Sequence, residues 1–380
     1  MLIGIDASRA TAARRTGTET YSLRLIRSLI ELGLGHRFRL YTNGRPPAGL
    51  FWNDAAPPNA ELREIPFPRL WTHLRLSGEM ASRPPDVLFV PAHVLPLIHP
   101  RRSVVTVHDL GYLFYPEAHE TGDRRYLDWS TRWNALRATV VLADSAATRA
   151  DLIRAYGIDG GKVRVTYLGR DETLAPVRDD RALAEVRAHY GIAGRYLLYV
   201  GTLQPRKNLA RVIEAFARQA GDPAFTDVGL VLAGKKGWLY DDLFVQVKRL
   251  GLPGRVIFPG YIEDVDLPAL MSGALAFVFP SLYEGFGIPV LEAGACGVPV
   301  ITSNTSSLPE VAGDAALLVD PHDVEAIAEA MRRLVTDDAL RSELARRGLE
   351  NVQRFSWEKC ARETLAVLLE AGNVKLEAGN

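Results

Sequence analysis

The apolar pattern of the first half of the chain alternates between two periods. Short apolar or β-branched runs at 2–6, 37–41, 87–90, 104–107 and 140–143 have the length of strands, and helical patterns separate them. One helix is predicted over 19–32, with Tyr21, Leu25, Leu29 and Leu32 on one face and Gly33 past its end. A second reads from Ser145 to Ala155. Strand alternating with helix implies a parallel, doubly wound sheet.

The alternation breaks around 171–180, where Pro176 and a cluster of charges interrupt it. It then resumes with strands expected at 196–200, 228–233, 255–258 and 275–279 and a helix at 208–218. Two helical patterns follow Asp323, and Ser356 is the expected N-cap of a last helix carrying Trp357, Cys360, Thr364 and Val367 on one side. The expectation is an α/β chain of two Rossmann-like domains, 1–175 and 176–355, facing each other across a cleft. Residues 356–380 form a terminal helix that returns to the first domain. In this architecture a nucleotide sits at the C-terminal ends of the strands.

A chain of 380 residues exceeds the usual size of one hydrophobic core, which agrees with two domains. Lys plus Arg and Asp plus Glu both number 45, so no net field holds the chain on nucleic acid, and partners must be recognised locally. No apolar run approaches the roughly 20 residues of a spanning helix. The opening Met1-Leu2-Ile3-Gly4-Ile5-Asp6 reads as a strand rather than as a secretory leader, which points to the cytoplasm. Cys296 and Cys360 lack metal-ligand spacing and read as reduced, packed thiols.

The most informative stretch runs from Phe279 to Ala293 as FPSLYEGFGIPVLEA, after an apolar strand and into a helix. Gly285 and Gly287 permit a tight turn with exposed amides, and Pro289 suits the start of a helix. A helix N-terminus beside free amides binds phosphate, so Phe286 and Ile288 lie at the anion site with the glycines. Glu284 and Glu292 flank that site at different depths. Beside a diphosphate, carboxylates serve best as acceptors for sugar and ribose hydroxyls. Glu350 and Glu358 share the seven-residue gap without the strand, glycines or proline.

Glu-Gly-Phe-Gly-Ile-Pro with a second glutamate after seven residues resembles the nucleotide-sugar signature of the family-4 glycosyltransferases. The resemblance implies a GT-B fold, an acceptor-side first domain, a donor-binding second domain and a retaining reaction that works without a divalent cation. It assigns Glu284 to hydroxyls of the transferred sugar and Glu292 to the ribose. Gly201, Thr202, Arg206 and Lys207, at the end of the second domain's first strand, occupy the position of a phosphate loop, and the resemblance gives the two cations the diphosphate. Ile262 and Asp264 fall near the base. An acidic group there pairs with guanine N–H donors, which tilts the expected donor from UDP- or ADP-sugars towards GDP-mannose. Asp266 reads as a helix N-cap rather than a metal ligand.

In the first domain, His108 ends a strand and resembles the family's histidine at the donor sugar. Arg14-Arg15-Thr16-Gly17-Thr18-Glu19 lies between the first strand and its helix, where Gly17 lets backbone approach the acceptor or the phosphates. The stretch 303–321 also resembles the family, especially its bacterial mannosyl- and rhamnosyltransferases. The implied activity is hexosyl transfer from a nucleotide diphosphate sugar to a saccharide or lipid-linked acceptor in polysaccharide biosynthesis. A catalytically inactive sugar-nucleotide-binding subunit, a phosphate-dependent sugar processor and a sugar-nucleotide epimerase are the alternatives. Phe67, Leu70, Trp71, His73, Leu74 and Arg75 with Arg69 read first as a packed loop or helix, and second as a segment for peripheral membrane contact at the inner face.

Overall fold

The apolar runs become strands of two all-parallel sheets in the computed structural model, which describes residues 1–13, 17–53, 55–92, 94–116, 121–235, 237 and 241–373, without the side chains of 121 and 123. Arg14, Arg15 and Thr16 of the expected acceptor loop lie outside the described residues.

In chain order the strands are β1 (Leu2–Asp6), β2 (Arg37–Thr42), β3 (Ala60–Glu64), β4 (Val87–Val90), β5 (Ser103–Val107), β6 (Val140–Ala143), β7 (Val163–Val165), β8 (Arg195–Val200), β9 (Val228–Ala233), β10 (Val256–Ile257), β11 (Ala276–Phe279), β12 (Val300–Ser303) and β13 (Ala316–Val319). The first sheet has the order β3-β2-β1-β4-β5-β6-β7 and the second β10-β9-β8-β11-β12-β13. Each reverses direction of winding once, between β1 and β4 and between β8 and β11. The crevice beyond the strand ends at such a reversal is where α/β sheets hold ligands.

Four strands go beyond the sequence expectation. β3 reads AELRE and β7 has three residues, and both lie at an edge, where short or charged strands are favoured. β12 (VITS) ends in two polar residues and β13 (ALLV) is a partly exposed run of residues common in helices, so neither stands out from the helical patterns around it.

Contacts divide the chain into one unit of Met1–Gly169 with Phe355–Asn380 and another of Arg170–Arg354. Pro176 and Val177 are fastened within the second unit: Val177 N donates to Ser272 Oγ at 2.9 Å, and Gly297 lies against Pro176. In the first unit the helix Trp357–Asn373 packs on the helix Gly17–Leu32, with the Tyr21 and Trp357 rings 6.1 Å apart. Ser356 Oγ caps it by accepting from Lys359 N at 3.1 Å. The helix Leu267–Ser272 differs from expectation. Asp266 stands at its start without a side-chain cap, because its carboxylate accepts the Tyr190 hydroxyl at 2.7 Å instead.

Candidate active site

Arg206, Lys207 and Glu284 come together because β8 and β11 are neighbours, paired at Ala276↔Leu197 and Phe277↔Leu198. The loop after each strand therefore leaves the sheet at the same place. Pro205–Lys207 makes one 3-10 turn, and Asn208 reverses the chain at φ 64° before the helix Leu209–Arg218. Asparagine tolerates this left-handed conformation, and its buried amide staples the turn by donating to Pro280 O at 3.1 Å and Pro321 O at 2.6 Å.

Within this frame Lys207 Nζ lies 2.5 Å from Glu284 Oε1, Arg206 Nη1 lies 3.2 Å from Glu284 Oε2, and Arg206 Nη1 also donates to Tyr283 O. All three side chains are at most 14% exposed, so the pairs are shielded from water. Burial raises the Glu284 pKa, but the charges of Lys207 and Arg206 outweigh it and hold the carboxyl down to about 2. Beneath the pair, Lys207 Nζ stands 5.0 Å from the centre of the Phe279 ring, which stacks on Tyr199.

Three serines at the end of β12 and just after it hold the glutamate loop. Glu284 N donates to Ser306 Oγ at 3.1 Å, Ser307 Oγ reaches Glu284 O at 2.9 Å and Phe286 O at 2.7 Å, and Ser303 Oγ donates to Ser281 O at 2.5 Å. These contacts fix where the buried Gly285 and Phe286 sit before the helix Ile288–Ala295 begins. Gly287, at φ 112°, starts that helix, and a Cβ there would stand 2.7 Å from Leu308 Cδ2. Gly201, just after β8, lies against Gly234, just after β9. A Cβ on Gly234 would come within 1.9 Å of Gly201 O, which leaves room only for hydrogen.

Glu292 lies on the helix Ile288–Ala295 in a different setting. It is partly buried, and burial together with the charges of Asp171 and Asp264 pushes its pKa up to about 7. Ile262 is buried, whereas Asp264 and Thr202 are exposed. The Asp264 carboxylate accepts the Tyr261 hydroxyl at 3.2 Å, and Thr202 O accepts that of Tyr199 at 3.0 Å.

In the first unit, His108 follows β5 and Asp144 follows β6, whose register ends at Val107↔Ala143. One residue further on, His108 Nδ1 lies 2.6 Å from Asp144 Oδ2, and Nε2 lies 3.0 Å from Pro91 O beyond β4. A carbonyl oxygen only accepts, so Nε2 carries a proton. Burial lowers the histidine pKa, but the charge and hydrogen bond of Asp144, with the Asp109 charge and the Pro91 carbonyl, together outweigh it, and the net shift is upward. Tyr21 packs edge-on against the imidazole at 4.8 Å and its hydroxyl meets Thr106 Oγ1 at 3.0 Å.

His108 also lines a cavity of about 460 Å³, where Thr18, Glu19, Asp109 and Tyr112 offer polar groups among apolar neighbours such as Val107 and Leu127. Arg9 and Tyr126 border both this cavity and a second of about 460 Å³, lined also by Ser8, Asn43, Leu70 and His73. Gly17 opens the helix Gly17–Leu32 as an exposed residue. Asp144 escapes a reading by motif, and the family-like stretches that hold Asn208 and the serines at 303, 306 and 307 give those residues no role, since each acts on a residue distant in sequence. Only the strand-end position of Asp144, before the N-cap Ser145, hints at it.

Residues 187–351 match the family model of the glycosyl transferases group 1, and residues 15–174 that of glycosyltransferase family 4. Over 265 residues, 70% of this chain and 69% of the relative, the chain is 37% identical to an O-antigen chain mannosyltransferase B of Escherichia coli. The chain belongs to the family-4 glycosyltransferases.

Solved structures agree with the GT-B fold of this family. A sucrose-phosphate synthase from Thermosynechococcus elongatus superimposes with a TM-score of 0.74 at 23% identity, covering 97% of this chain and 98% of that one. HepE of Anabaena, in complex with UDP-glucose, does so with a TM-score of 0.74 at 20% identity, covering 97% and 99%. The expected glycosyltransferase activity is therefore that of the family to which the chain belongs. Among the described residues, no helix is long and apolar enough to cross a membrane.

Proposed function

We propose that this glycosyltransferase moves a mannosyl residue, or a closely related hexose, from a nucleotide diphosphate sugar to a hydroxyl of a saccharide or lipid-linked saccharide, with retention at the anomeric carbon. GDP-mannose is the favoured donor and polysaccharide assembly at the cytoplasmic face of the membrane the setting. The observation that carries the reading is the junction of Glu284 with Arg206 and Lys207 beside the start of the helix Ile288–Ala295. The similarity to an O-antigen chain mannosyltransferase supports the choice of sugar.

In the ligand-free protein Glu284 pairs with both cations, and the three side chains keep one net positive charge. A diphosphate carries enough negative charge to compete for both, which releases the Glu284 carboxylate to accept hydroxyls of the transferred sugar. The amides around Gly285, Phe286, Gly287 and Ile288, with Thr202, take the phosphate oxygens, and Gly201, whose own N–H donates to Ala233 O, lets the loop approach them without a side chain. Glu292 takes the ribose, and Ile262 and Asp264 the base. In the first unit His108 serves the donor sugar through the Nε2–H that now rests on Pro91 O, and Gly17 with the cavity lined by Glu19 and Asp109 serves the acceptor.

During transfer the departing β-phosphate accepts the proton of the acceptor hydroxyl as the new glycosidic bond forms on the face it leaves. Arg206, Lys207 and the helix N-terminus stabilise its growing charge, work done by preorganised positive groups rather than by a required divalent cation. Calorimetric titration with GDP, UDP and ADP, with and without magnesium, tests the donor assignment. Metal-independent binding of GDP that Glu292→Gln weakens is expected. NMR of the product formed from GDP-mannose then reads the anomeric configuration, and an inverted product or tighter binding of UDP overturns this reading.

A further inference from the structure

We propose that one face of the first unit docks on an anionic lipid bilayer. The face joins the segment 66–77, the loop 97–99 and the outer side of the helix Thr121–Arg137, and a closed circuit of contacts makes it continuous. His73 meets Trp129 at 5.7 Å, Trp129 stacks on Trp133 at 6.1 Å, and Trp133 meets His99 at 6.5 Å. Ile98 N closes the circuit by donating to Ser77 Oγ at 3.2 Å.

Around this circuit stand apolar side chains that the unit does not cover. Leu70 is 64% exposed, Leu74 52%, Ile98 54%, Trp129 43% and Leu136 55%. Tyr126, Trp129, Trp133 and Leu136 repeat every three or four positions, so one stripe of the helix carries them. The segment 67–75 divides between the two readings its sequence allows. Trp71 is buried and donates from Nε1 to Ile65 O at 2.7 Å, whereas Phe67, Leu70 and Leu74 point to solvent. Leu70 takes φ 54°, a conformation that leucine rarely adopts, with its side chain still exposed.

Charge selects the occupant. Residues 65–78 and 87–108 contain no Asp or Glu and carry Arg69, Arg101 and Arg102, whereas Arg75 is paired with the buried Glu79 at 3.6 Å and the helix Thr121–Arg137 carries Asp123 and Asp128 among its arginines. Arg69, Arg101, Arg132 and Arg137 are exposed, and the Arg137 guanidinium lies 4.9 Å over the Trp133 ring. Aliphatic and Trp/Tyr side chains among arginines complement the interfacial zone of a bilayer whose headgroups are negative. A neutral whole-chain charge does not oppose this, because the attraction acts within a Debye length of the face. The cavity bordered by Leu70 and Tyr126 belongs to the same edge. On the reading proposed above, an acceptor anchored in lipid reaches it from the surface on which the enzyme sits.

Co-sedimentation of the full chain with vesicles, without donor or acceptor, tests docking separately from glycosyl transfer. Vesicles of equal parts phosphatidylglycerol and phosphatidylcholine are expected to bind the protein, and pure phosphatidylcholine to bind it far less. The combined variant Leu74→Gln, Ile98→Gln, Leu136→Gln, all exposed positions, should lose about tenfold or more in affinity while melting at the wild-type temperature and acting normally on a water-soluble acceptor. Arg101→Gln with Arg137→Gln should bind less and respond less to salt. Wild type that stays in the supernatant with anionic vesicles overturns the proposal, as does equal binding to both compositions or unchanged binding by both variants. A wild-type dimer that the apolar substitutions dissolve would give the face to a second copy and also overturn it.

Discussion

Lys207 Nζ and Glu284 Oε1 lie 2.5 Å apart across 77 positions of sequence, joined only because β8 and β11 are adjacent in the second sheet. The contact sets a carboxylate among the cations proposed to hold a diphosphate. Its strength follows from burial, since neither water nor salt screens a pair this enclosed as it would an exposed one.

Glu284→Gln leaves Arg206 and Lys207 without their anion. The ligand-free variant is expected to be less stable than wild type by about 3 kcal/mol in denaturant titrations. Added nucleoside diphosphate should then stabilise the variant more than the wild type, because in the wild type it must displace Glu284. Transfer should fall by roughly 100-fold or more. Equal stabilisation of both proteins by the ligand would show that Glu284 does not compete with phosphate.

The two glutamates of the motif titrate in opposite directions. Glu284 has its pKa depressed to about 2, so its contribution to stability is present above the usual 4.5 and is lost as pH falls towards 2. Glu292 has its pKa raised to about 7, so the stability tied to its protonated form is present below 4.5 and is lost as pH rises through 7. Melting temperatures between pH 4 and pH 8, read for Glu292→Gln against wild type, should show the variant less sensitive to pH and gaining relative stability at the alkaline end. A parallel pair of curves would place Glu292 outside this balance.

Asp144→Asn removes the anion that holds the His108 proton. The imidazole should then lose that proton at lower pH. The Cε1 proton resonance of His108, followed by NMR through a pH titration, reads the change directly. An unmoved titration would mean that Pro91 O and burial alone govern the ring.

Gly287→Ala places a Cβ 2.7 Å from Leu308 Cδ2 at φ 112°. A destabilisation of about 1–3 kcal/mol is expected from the backbone alone, with the anion loop displaced as well. Urea unfolding measures the first and nucleotide titration the second. Wild-type values in both would mean that the loop relaxes without cost.

Two doubly wound domains were legible because strand-length apolar runs alternating with helical periods leave few architectures other than parallel sheets, and the resemblance of the Glu284 motif then implied the GT-B fold. The glycines and proline around Glu284 likewise marked a strand, a turn and a helix start in the right order. Legibility failed where a signal is short or non-local. β3 is polar because an edge strand faces water, β12 ends in Thr302 and Ser303, and β13 is a partly exposed run that a helix could equally hold. Asp266 has the residue type of a cap, but the hydroxyl of Tyr190, 76 positions away, takes its carboxylate.

Local backbone chemistry was thus written in the sequence by itself: where strands and helices run, which residue types stand at strand ends, and to which family their pattern belongs. Only the tertiary structure decided which strand ends are neighbours. That order pairs Glu284 with Lys207 and His108 with Asp144, and it leaves Glu292 beside Asp171 and Asp264. The physical reason is that the charge state of a buried group depends on the groups within a few ångströms of it, and sheet order, not sequence distance, determines which those are.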